Sequence, residues 1–118
     1  MIDLHLHTTA SDGAYSPEEL LLRASSVGVR TLSITDHDTM AAVPKASALA
    51  DSFGVELLAG IEITAVCDGH DIHILGYFLT VHPTGLDTFL IAQRRHRTDR
   101  LREMANRLTD LGVGVDID

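Results

Sequence analysis

From Ile2 to His7 apolar and polar residues alternate, with Ile2, Leu4 and Leu6 on one side and Asp3, His5 and His7 on the other. A period of two predicts a strand with one apolar and one polar face. A turn-like stretch, Thr8 to Tyr15, leads to Ser16-Pro17-Glu18-Glu19. There serine as N-cap, proline at the first helical position and glutamate three residues after the cap form a capping box. The helix so opened is expected to run to about Val27 and stop at Gly28. Val29 to Thr35 reads as a buried strand, and Asp38 or Thr39 can cap a second helix ending near Phe53-Gly54. Val55 to Val66 predicts a third strand, Asp68-Gly69 a hairpin turn, and Ile72 to Thr80 a fourth strand. After His82-Pro83 a long helix spans about Leu86 to Leu111, and Val113 to Asp116 looks like the start of a new element.

Strand, helix, strand, helix, strand points to an α/β layout built on largely parallel strands. Four or five strands can form an open sheet but not a closed barrel of the usual size, so the expectation is a fragment, or a shortened variant, of something larger. With 118 residues, 45% of them apolar, the chain suits one domain with a real core. No stretch approaches membrane-spanning length and nothing resembles a signal peptide, so no membrane partner is expected. The single cysteine, Cys67, excludes an internal disulfide framework and fits a reducing compartment, with cytoplasm the expected location. A formal charge of -8 argues against a general nucleic-acid surface, and no duplex DNA is expected as a partner. The charge is uneven. Residues 1–93 carry only Arg23, Arg30 and Lys45 against twelve acids, while six of the nine basic residues lie between Arg94 and Arg107.

Candidate chemistry falls into three clusters. His5 and His7, two apart on a strand, leave the same face at a spacing that can grip one metal ion. Thr35-Asp36-His37-Asp38 follows a buried strand, at the rim where parallel strands converge and α/β enzymes place their sites; Asp12 lies at the same rim. Within it His37 reads as a ligand, whereas Asp38 alone is better explained as a helix cap. The third cluster follows from the hairpin. A two-residue turn at Asp68-Gly69 sets Cys67 opposite His70, Thr64 opposite His73 and Glu62 opposite Leu75. Glu62, Thr64 and His73 then share a face, with His73 diagonal to Glu62 and His70 on the other side. A glutamate between Ile61 and Ile63 is costly to bury unless paired or metal-bound; the alternative is an edge-strand glutamate facing water. Four histidines and two carboxylates exceed what one ion requires, and the mixture suits zinc, manganese or iron better than calcium or magnesium alone. Several ions held close together, with open positions, equip a site for phosphate ester hydrolysis.

HLHTTASDG, ITDHDT, GIEIT and HILGY, in this order and spacing, resemble the polymerase and histidinol phosphatase (PHP) superfamily. The branch they resemble most comprises nucleoside 3′,5′-bisphosphate phosphatases and 5′-to-3′ exoribonucleases. The resemblance implies that residues 1–118 form the N-terminal portion of a distorted (β/α)7 barrel, not closed by this chain alone. It implies a phosphoric ester hydrolase acting on nucleoside 3′,5′-bisphosphates or short oligonucleotide 5′ ends through a metal-activated hydroxide at a multinuclear site. The cofactors would be divalent ions, Mn2+ or Zn2+ with Fe2+ or Mg2+ as alternatives, up to three in the complete domain. Carried over by motif, His5 and His7 would hold the first ion, Asp12 and His37 the second, while Glu62 would bridge the first and third and His73 would bind the third. Asp12, His37 and Glu62 would take the catalytic places.

The family's pattern continues with another histidine and a terminal Asp-x-His, and this chain stops before them. Completing the centre therefore calls for the remainder of the barrel, as a missing C-terminal part or another chain. Two other readings stay open: a phosphatase of the histidinol-phosphate type, and a non-catalytic metal-binding or assembly module. On the last helix the apolar stripe Leu86, Leu90, Leu101, Met104, Leu108, Leu111 continues through Arg94 and Arg97. Those arginines either contact substrate phosphate or sit on a solvated stretch of helix.

Overall fold

In a computed structural model, described for residues 1–77, 80 and 85–116, the chain divides into two compact units, Met1–Pro83 and Thr84–Asp118. The first holds a four-stranded sheet, β1 (Ile2–Leu6), β2 (Thr31–Ile34), β3 (Glu56–Cys67) and β4 (His70–Tyr77), in spatial order β1-β2-β3-β4. β1, β2 and the first residues of β3 run parallel, with Ile2 beside Thr31 and Thr31 beside Glu56. Beyond Ala59 the same long β3 turns to β4 as an antiparallel partner. Asp68 and Gly69, both at positive φ (51° and 79°), make the tight turn that fixes this hairpin. Its register places Cys67 opposite His70, Thr64 opposite His73 and Glu62 opposite Leu75, as the two-residue turn requires.

Two helices join the parallel strands. α1 (Pro17–Ser26) opens with the expected capping box: Ser16 Oγ accepts from Glu19 N–H and Glu19 Oε2 accepts from Ser16 N–H. These hydrogen bonds to the carboxylate hold the Glu19 carboxyl below its ordinary value. Leu20, Leu21 and Ala24 of α1 meet Leu32 and Ile34 of β2, Val29 and Val55 in one apolar core. Ala42 packs there too, beside Ala46 and Ala50 of α2 (Val43–Ala50). Leu6 and Leu57 pack against it from β1 and β3.

α2 departs from the sequence expectation. It begins at Val43, with Pro44 in its first turn and no side-chain cap, rather than at Asp38 or Thr39. A start at residue 39 would put Pro44 inside the helix, where it lacks a donor N–H and clashes with the preceding turn. Asp38 is no cap at all; it sits at φ 51° and its carboxylate accepts from Thr64 N–H of β3.

The second unit is α3 (Leu86–Asp110), ended by Leu111 and by Gly112 at φ 84°. The expected inward stripe is buried only at Leu90, with Ala105 also buried; Leu101, Met104, Leu108 and Leu111 are exposed, as are Arg94 and Arg97. Val113 to Asp116 form neither strand nor helix, contrary to the expected new element. The expected extension of the fourth strand beyond Tyr77, and His82-Pro83, lie outside the described residues except for Thr80.

Candidate metal centre

Strand ends gather the site. β1 ends at Leu6 and sends His5 and His7 out on its polar side. Past β2 the backbone stays beside β3: His37 forms a parallel bridge with Glu62, Glu62 N–H donates to Asp36 O, and Asp38 N–H donates to Glu62 O. The Glu62 side chain is thereby held between β1 and β4, 3% exposed.

Around its carboxylate stand four imidazoles. His5 Nε2 and His7 Nε2 lie 2.9 and 3.0 Å from Glu62 Oε2, and His37 Nδ1 lies 3.8 Å from the same oxygen. His73 Nδ1 lies 2.6 Å from the other oxygen, Oε1. Asp12, far more exposed at 68%, reaches His7 Nδ1 at 3.2 Å and His37 Nε2 at 3.6 Å. The rings form a continuous row, with centroids 5.1 Å apart from His5 to His7, 4.7 Å from His7 to His37 and 4.9 Å from His37 to His73. Burial pushes the Glu62 carboxyl up. Hydrogen bonds from His5 and His73, with the charges of His37 and His5, outweigh it and hold the group below its ordinary value.

All six side chains singled out in the sequence thus come together. They form three overlapping groups, His5–His7–Glu62, His7–Asp12–His37 and His37–Glu62–His73, each with one donor atom per residue and all donor atoms within 4.8 Å. His70 is exposed near the hairpin tip and belongs to none of them, and Arg94 and Arg97 lie on α3 in the second unit. The donor set fits divalent ions. His7 Nδ1 and His37 Nδ1 are buried yet make no hydrogen bond, the former despite its 3.2 Å approach to Asp12. Buried ring nitrogens left so are uncommon, and imidazole mixed with carboxylate is a transition-metal donor set.

Sequence reasoning assigned no role to the groups that hold this arrangement. Asp36, 1% exposed, accepts from Thr8 N–H (2.7 Å), Thr8 Oγ1 (2.7 Å) and Ser11 Oγ (2.6 Å). Gly13 packs so closely on the backbone just after β1 that a Cβ there would stand 2.3 Å from His7 O. An aspartate straight after the apolar Leu32-Ser33-Ile34 run was itself a signal, since a buried carboxylate must find donors. Its donors, 25 to 28 residues away, were not readable.

Residues 3–112 match the profile of the PHP domain, and the chain belongs to that family. A 5′-3′ exoribonuclease of Haemophilus influenzae is 41% identical over 112 residues, covering 94% of this chain and 40% of its own. A 3′,5′-nucleoside bisphosphate phosphatase of Chromobacterium violaceum is 34% identical, covering 95% and 39%. Among solved structures, an amidohydrolase from Chromobacterium violaceum with bound sulfate and no metal superposes with a TM-score of 0.86 at 33% identity, over 97% of this chain and 40% of that one. The chain therefore spans about 40% of the length of these relatives, and its α/β fold corresponds to part of a PHP barrel.

Proposed function

We propose that this chain carries part of the centre of a metal-dependent phosphoesterase that hydrolyses phosphate esters of nucleotides, either nucleoside 3′,5′-bisphosphates or short oligonucleotide 5′ ends. The observation that carries the reading is the convergence of six ligand-type side chains from β1, its following loop, the end of β2 and the β3–β4 hairpin. The names of the relatives support the nucleotide class of substrate.

A neutral imidazole lends a single lone pair, so His7 and His37 can each serve one ion, whereas the two oxygens of Glu62 can serve two. His5, His7 and Glu62 would then hold one ion, Asp12 and His37 a second, and Glu62 and His73 a third. Bound Mn2+, Zn2+ or Fe2+ would supply an acidified water and offset charge on the phosphoryl oxygens. Asp12, the most exposed of the six, would receive a proton at its Oδ atoms, while buried Glu62 would keep the imidazoles oriented. A reducing, cytoplasmic setting belongs to the same proposal and accords with the exposed free thiol of Cys67.

Two of these groups would be held by only two side chains each. That favours, as a second reading, a metal-binding module without turnover. Metal analysis of the chain, and of any longer product of its reading frame, followed by phosphate release from adenosine 3′,5′-bisphosphate with Mn2+, separates them. Metal binding with phosphate release is the expected result for the complete domain. Metal without release from any nucleotide supports the module, and no metal at all removes both.

A further inference from the structure

Asp12 touches its two histidine neighbours only from a loop, and its side chain is largely exposed, so the loop decides where its carboxylate stands. That loop has one strong anchor. Three donors from Thr8 and Ser11 converge on the buried Asp36 carboxylate at 2.6 to 2.7 Å. Inside the loop, Ser11 N–H and Gly13 N–H both donate to Thr8 O, and Thr9 N–H donates to Tyr15 O. Fixing Thr8 and Ser11 therefore fixes Asp12 between them and Gly13. Asp36 is also the chain neighbour of His37, and its carbonyl accepts from Glu62 N–H. One residue thus ties the Asp12 loop to the segment that carries His37.

We infer that Asp36 is a positioning residue that sets the spacing of Asp12 and His37, an inference that rests on reading those two as metal ligands. Hydrogen bonds to an ionised acceptor are short and strong, and groups that orient ligands typically change metal affinity by about tenfold to a hundredfold when lost. Among the described residues the loop's own backbone hydrogen bonds are local turns, so its attachment beside β2 rests chiefly on the three donors to Asp36.

Mn2+ titration of the chain by calorimetry, beside thermal melting of the metal-free protein, tests this in Asp36→Asn, Ser11→Ala and His37→Ala. Ser11→Ala removes a single loop donor and keeps the test independent of whether Asp36→Asn folds. The expected result is that Ser11→Ala weakens one class of Mn2+ site by about tenfold, and Asp36→Asn by more. The same class is lost in His37→Ala, the other sites hold, and metal-free melting of Ser11→Ala is unchanged. A class lost in His37→Ala but intact in both other variants overturns the positioning role alone. Weakening spread equally over every site overturns it too, since that marks general destabilisation. Mn2+ binding unaltered by His37→Ala overturns the ligand reading and this inference together.

Discussion

A buried carboxylate ringed by four imidazoles couples the ionisation of Glu62 to its neighbours, and this sets the residue-scale behaviour of the site. The folded Glu62 value lies below the unfolded one, so its contribution to stability is fully present above the ordinary carboxylate range. It is lost as pH falls through the lowered value. Melting of the metal-free protein should therefore show an acid limb that Glu62→Gln flattens; identical limbs in both would contradict the coupling. His5→Ala and Glu62→Ala should each lower bound metal measured by elemental analysis, whereas His70→Ala and His96→Ala should not. Metal loss in His70→Ala equal to that in His73→Ala would contradict the site assignment.

Elements carry these residues to their places, and the α1–β2 core decides how firmly. Leu21 and Leu32 are fully buried on the two sides of that contact. Truncating Leu21 to alanine should cost about 2–5 kcal/mol by urea denaturation, through lost transfer and the cavity left behind. A cost under about 1 kcal/mol would mean that the layer collapses to fill the gap. The β3–β4 hairpin was legible in advance because a two-residue Asp-Gly turn permits one register, and register alone puts His73 beside Glu62. The start of α2 was misread because a good cap residue, Asp38, stood where a helix could begin, while Pro44 silently forbade it. Asp38 holds Thr64 N–H instead, a tertiary partner that no local rule could name.

At the scale of the molecule, an acidic body carries a basic, amphipathic α3, and the chain covers about 40% of its relatives' length. Leu101, Met104, Leu108 and Leu111 are each exposed along α3 and at its C-terminal end. Replacing Arg94 and Arg97 with alanine in the active protein tests their proposed part in holding substrate phosphate. A raised KM with unchanged kcat is the result expected of a phosphate contact, and an unchanged KM assigns both side chains to solvent. With a net charge of -8 the chain is expected to show no binding to duplex DNA at physiological salt, measured by fluorescence anisotropy.

The sequence by itself determined the strand alternation that aims His5 and His7 one way, the capping box of α1, the hairpin register and the six side chains of the candidate centre. All of these depend on local periodicity, turn chemistry or ordered motifs, which neighbouring residues dictate. Only the tertiary structure decided that one carboxylate, Glu62, touches four imidazoles at once, and that Asp36 and Asp38 flank His37 with hydrogen bonds to opposite neighbours, the Asp12 loop and β3. Apart from His73, which the hairpin register brings to Glu62, those pairings join residues 25 to 57 positions apart, where which donor meets which acceptor follows from sheet order and packing.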